Sequence, residues 1–172
     1  MTTRTDLARR LELAQVEEVG EFVTGRARGM TVTLEGEAPF RACVVELGSA
    51  IPIARMVMRP GDLNHPDAVE TGDAEFDEVM QVTALASYAP TLQQLLSDKP
   101  LRLALVEFLK RNPSAEFNGS RLRVPAGEGG VTQQLVIDAL TIADAVAKRF
   151  ARLGFSRARR PPKFLLMSRL GV

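Results

Sequence analysis

The spacing of apolar residues turns from strand-like to helical near Thr91, and that change limits what the chain can fold into. Met30-Thr31-Val32-Thr33-Leu34 alternates apolar and polar side chains, whereas Leu101, Leu105 and Phe108 recur at intervals of three and four. The first spacing suits a half-buried strand, the second the apolar stripe of a helix. A run of strands followed by helices broken by a hairpin predicts an α+β fold with a largely antiparallel sheet. Its helical parts are expected to be an N-terminal helix, a middle helix and a long C-terminal helix.

Residues 5–19 read as the first helix. Thr5 or Asp6 is placed to cap it, Leu7, Leu11 and Ala14 share a face, and Gly20 stops it. Strands are expected at Met30–Leu34, Phe40–Leu47 and Ile51–Met58. The short Gly48-Ser49-Ala50 link predicts that the last two pair antiparallel. Val79–Thr83 is a further strand candidate. Thr91 is the expected cap of a short helix through Leu96, and Asp98 that of a helix ended by Asn112-Pro113. Asn118-Gly119 then signals a hairpin. The last helix starts at Thr132 and runs through Leu135, Ala139, Ile142, Val146, Phe150 and Leu153 to a stop at Gly154.

Between the two regimes stands Thr71-Gly72-Asp73-Ala74-Glu75-Phe76-Asp77. Gly72 is open to positive φ, and Asp73 is suited to bond a nearby backbone N–H. Phe76 places one large apolar group between carboxylates. The expectation is a structural turn held down by Phe76. The alternative is a metal site on Asp73, Glu75 and Asp77, which calcium chemistry disfavours for want of oxygen ligands at regular spacing.

The charge is unevenly placed. After Asp144 the chain holds eight bases and no acid, so its net +1 leaves −7 for residues 1–144. The chain divides into residues 1–24, an N-terminal helix and linker; 25–154, the α+β domain; and 155–172, a basic tail. Arg157, Arg159, Arg160, Lys163, Phe164 and Leu165 are the candidate partner-binding residues. Eight bases also suit nucleic acid or an anionic membrane surface, although only Phe155 and Phe164 are there to stack on bases.

Enzymatic signatures are sparse. His65 is the only histidine and Cys43 the only cysteine, so metal sites built on several imidazoles and internal disulfides are excluded. Cys43 sits in an apolar strand, where unreactive thiols are common. The stretch Pro125-Ala126-Gly127-Glu128-Gly129-Gly130 precedes a helix, as phosphate loops do. Glu128 would repel phosphate and no lysine follows, so a flexible connector is expected. No cofactor is implied. The opening residues do not form a secretory signal, and cytoplasmic placement is expected.

With its antiparallel strands before it and a helix after it, Thr-Gly-Asp-x-x-Phe-Asp resembles an uncharacterised bacterial α+β domain over roughly Gly25 to Phe150. Met80 and Gln81 depart from the more aromatic strand expected there. No activity comes with that resemblance. The element order is also similar to the type III secretion chaperone fold, a likeness of fold that does not by itself fix function. The absence of catalytic motifs thus points to a non-enzymatic adaptor or chaperone-like domain whose partner is another protein, with a second copy of itself as a further option; the alternatives are a metal-dependent enzyme using residues 70–78 and nucleic-acid or anionic-surface binding through the tail.

Overall fold

Thr3 opens the first helix, a few residues ahead of the expected Thr5 or Asp6. Its Oγ1 accepts the Asp6 N–H at 3.1 Å and the Asp6 carboxylate accepts the Thr3 N–H in return, which satisfies donors at both ends of the turn. The computed structural model describes residues 3–48, 54–58 and 66–153.

The helix expected over 5–19 is two elements, α1 (Arg4–Arg10) and strand β1 (Ala14–Val19). Glu12 and Gln15 take φ of 63° and 50°, a hand that a right-handed helix does not accommodate. Strand β2 (Phe22–Ala27) then folds back on β1 across Gly20, whose φ is 59°. Arg4 ties this corner together. Its guanidinium donates to the Glu18 carboxylate at 2.9 Å and to the carbonyls of Gly20, Glu21 and Gly36.

The remaining elements are β3 (Met30–Glu35), β4 (Ala42–Glu46), β5 (Ala54–Met58), α2 (Ala74–Val79), β6 (Met80–Ala84), a 3-10 turn (Ala86–Tyr88), α3 (Ala89–Leu95), α4 (Lys99–Arg111), β7 (Glu116–Asn118), β8 (Arg121–Pro125) and α5 (Gln133–Arg152). The eight strands among the described residues form one sheet in the order β1-β2-β3-β4-β8-β7-β5-β6, every pairing antiparallel. The fold is α+β.

The expected pairing of β4 with β5 does not occur. The β7–β8 hairpin lies between them, with Val45 opposite Leu122 and Met56 opposite Phe117. Residues 47–53 are enough chain to cross the three intervening strand spacings, roughly 14 Å. The hairpin itself is as expected, but its turn is one residue later. Asn118 pairs with Arg121, leaving Gly119 and Ser120 as the turn, and of these only Gly119 has positive φ. That pattern needs one glycine at the first turn position.

Helices cover one face of the sheet. Phe76, Leu101, Leu105, Phe108, Ile142, Val146 and Phe150 join Val23, Leu34, Val45, Met56, Phe117 and Leu122 in one core. The opposite face is open and polar, crossed by ion pairs Arg123–Glu35, Arg121–Glu46 and Arg55–Glu116 at 2.8, 2.8 and 3.1 Å. Such pairs between exposed side chains fix cross-strand register more than they add stability.

Beyond α1, two helix starts match their sequence signals and one does not. Thr132 accepts the Leu135 N–H at 3.2 Å, and Asp98 accepts the Leu101 N–H at 3.0 Å with Pro100 in the first turn. Thr91 instead lies inside α3, which starts at Ala89 after the 3-10 turn. Helix α5 ends at Arg152 with Leu153 as its cap. The expected stop at Gly154 lies outside the described residues.

Candidate functional site

The acidic stretch folds into the start of α2. Gly72 takes φ of 83°, and Asp73 caps the helix by accepting the Phe76 N–H at 3.2 Å. Phe76, 3 % exposed, anchors the turn in the core. Asp77 reaches back over the turn. Its carboxylate accepts the Thr71 N–H at 3.0 Å, the Thr71 hydroxyl at 2.8 Å and the Gly72 N–H at 3.2 Å. These bonds do the work that a cation would do in an open acidic loop.

Asp73 has a second partner that lies 29 residues away. Arg102 on α4 donates to its Oδ2 from Nε at 2.9 Å and from Nη2 at 2.7 Å. The same guanidinium donates to the Leu96 carbonyl. The Phe76 N–H first, and Arg102 second, hold the Asp73 carboxyl below the usual carboxylate range. Three elements are therefore joined at one ion pair: α2, the end of α3 and α4. Glu75, grouped in sequence with Asp73 and Asp77, is exposed and lines the same groove as Asp73 and Arg102.

Joining α2 to α4 leaves a groove of about 770 Å³ between them. Glu75 and Glu78 line it from α2, and Lys99, Leu103, Val106 and Lys110 from α4. Leu103 is 56 % exposed, unusual for leucine on a helix that buries Leu101, Leu105, Phe108 and Leu109. The groove thus offers apolar area between charges of both signs. Leu103 and Val106 were not singled out from the sequence; their signal there is that they are apolar residues off the Leu101-Leu105-Phe108 stripe of α4. Arg102 carried no local signal, because its partner is remote in the chain.

Other sequence candidates resolve differently. The loop after β8 is seated: the Val131 N–H donates to the Pro39 carbonyl at 2.9 Å, and Gly130 packs on Pro39 so closely that a Cβ would lie 2.2 Å from its carbonyl oxygen. The flexible connector expected there is thus fixed at its C-terminal end. Cys43 is buried, and that burial pushes its thiol up to about 12. Among the described residues no group of three or more His, Cys, Asp or Glu side chains is placed to hold a metal ion. No described helix is long and apolar enough to cross a membrane.

The basic segment is split. Lys148, Arg149 and Arg152 belong to α5, where Lys148 pairs with Asp144 at 2.6 Å and Arg149 with Asp98 at 3.5 Å. Arg157, Arg159, Arg160, Lys163, Phe164 and Leu165, together with His65, lie outside the described residues.

No protein-family model matches the chain. No curated protein matches it either. Among solved structures it is similar to the crystal structure of the mycobacterial trehalose monomycolate transport factor A, TtfA, at 12 % identity and a TM-score of 0.47, over 85 % of this chain and 95 % of that one.

Proposed function

We propose that this protein is a non-enzymatic interaction domain, adaptor or chaperone-like, that receives a segment of a protein partner in the groove between α2 and α4. The exposure of Leu103 beside Val106, within walls of opposite charge, is the observation that carries the reading. Exposed apolar surface rimmed by charge is how partner sites differ from ordinary protein surface. The segment that fits is amphipathic, with an apolar anchor against Leu103 and a base toward Glu75 and Glu78. Against an acid–base or metal-dependent reaction, Asp73 and Asp77 direct their oxygens to backbone donors, Thr71 and Arg102. The tail's bases add a second, salt-sensitive contact in this reading.

The test is affinity capture with the full chain, in parallel with Leu103→Asp and with the open-face variant Arg121→Ala. A partner held by the wild type and by Arg121→Ala, and lost from Leu103→Asp at unchanged melting temperature, supports the groove. Retention by Leu103→Asp rejects it. A rise in melting temperature on adding Mg²⁺ or Ca²⁺, abolished by Asp77→Asn, returns the 70–78 loop to the metal reading.

A further inference from the structure

The two edges of the sheet are not equivalent. At one end, β6 is covered: Ala68 bridges to Thr83, the Val69 N–H donates to the Val82 carbonyl at 2.8 Å, and the Ala84 N–H to the Asp67 carbonyl at 3.2 Å. At the other end, β1 pairs with β2 alone, and among the described residues no other backbone group bonds to it. An unpaired edge strand presents donors and acceptors that another extended chain can use.

Its side chains restrict what that chain is. Val19 and Phe22 stand opposite each other, 61 % and 44 % exposed, on the open face of the sheet. Glu17 shares that face with Val19 by the two-residue alternation, and it is exposed without an ion-pair partner among the described residues; Glu18, on the other face, is held by Arg4. A second copy of β1 laid against the first would bring carboxylates together, and the irregular register between Ala14 and Glu17 shortens the pairable length further. Bulges and charge of this kind discourage self-pairing. The bulge limits any added strand to the regular stretch Glu17–Val19, and there the charge does not discourage a strand of opposite sign.

We infer that the β1 edge is a docking site for an extended, basic segment of a protein partner, which adds a ninth strand to the sheet. The segment sets a lysine or arginine across from Glu17 and an apolar side chain two residues away, across from Val19. This surface is separate from the groove between α2 and α4, and its test does not depend on that site.

The probe is the peptide acetyl-Thr-Val-Thr-Lys-Thr-Val-Thr-amide, whose pattern reads the same in either direction, with its Lys-to-Glu counterpart as control. Binding to the full chain is followed by amide shifts and by hydrogen exchange of residues 14–19. The lysine peptide is expected to slow exchange in β1 and to bind roughly three- to tenfold more tightly than the glutamate peptide, as opposed and like cross-strand charges differ. Glu17→Lys, an exposed change, reverses the preference. Leu103→Asp leaves it unaltered, so failure here and failure of the groove reading are distinguishable. Absence of protection in β1 at millimolar peptide, equal binding of the two peptides, or an unreversed preference in Glu17→Lys overturns the proposal.

Discussion

Gly130→Ala is expected to be among the most damaging single-methyl additions available in this protein. A Cβ at Gly130 would stand 2.2 Å from the Pro39 carbonyl oxygen and 2.7 Å from both Pro39 Cβ and Cγ. The nearest atom is backbone, so relief requires the loop or the Pro39–Phe40 segment to move by about 1 Å, a distortion in the overpacking range of roughly 1–3 kcal/mol. Movement also strains the Val131 N–H bonds to the Pro39 and Phe40 carbonyls, at 2.9 and 3.1 Å. The φ of 76° adds the left-handed penalty of a residue with a Cβ, about 1–2 kcal/mol. The lower entropy of the unfolded alanine chain returns about 0.4–1 kcal/mol. The expected net loss is about 2–4 kcal/mol. Urea unfolding followed by circular dichroism should show it as a midpoint lowered by roughly 1–2 M, given ordinary denaturant slopes. Gly129→Ala is the control, since nothing lies within 4 Å of its added Cβ and its φ is outside the left-handed range. A Gly130→Ala midpoint within 0.3 M of the Gly129→Ala value, as a roughly half-kcal/mol criterion, would refute the seating of the loop on Pro39.

Phe150→Ala, which truncates a buried aromatic on α5, is expected to cost about 3–5 kcal/mol in the same assay. Asp73→Asn keeps the helix cap but takes the carboxylate from Arg102, so its melting temperature should fall at neutral pH, and by less than that of Asp73→Ala. The Asp73 carboxyl is depressed in the folded state, so its stabilisation is complete above its unfolded value, near 4, and is lost as pH falls through the folded one. The wild-type acid limb should therefore be steeper than that of Asp73→Asn, measured as melting temperature between pH 2 and 5, a window of roughly that carboxylate range. Cys43 should react with a disulfide reagent at pH 8 at least about 100-fold more slowly in the native protein than in guanidinium, since only the thiolate attacks.

Local chemistry accounts for what could be read without coordinates. Thr132 and Asp98 cap α5 and α4 through N–H groups three residues on, and Asp73 caps α2 in the same way. Phe108, Ile142, Val146 and Phe150 were assignable to the core because burial follows spacing along one element, and Phe76 because it is the one large apolar group in a polar turn. The α+β class followed from the same spacing. The helix at Arg4–Arg10 was legible but the strand Ala14–Val19 was not, because Leu7, Leu11 and Ala14 fit one helical stripe and only the left-handed φ of Glu12 and Gln15 turns the chain into a strand.

Tertiary structure decided everything that joins distant residues. The hairpin enters between β4 and β5 because its Leu122 and Phe117 complete the core beside Val45 and Met56, a gain invisible to any rule based on link length. Arg102 meets Asp73 across 29 residues, and that pair sets α2 against α4 and so creates the groove. Spacing along one element determines which side chains are buried together. Contacts between elements are selected by packing of the whole sheet, and the candidate site is made of those contacts.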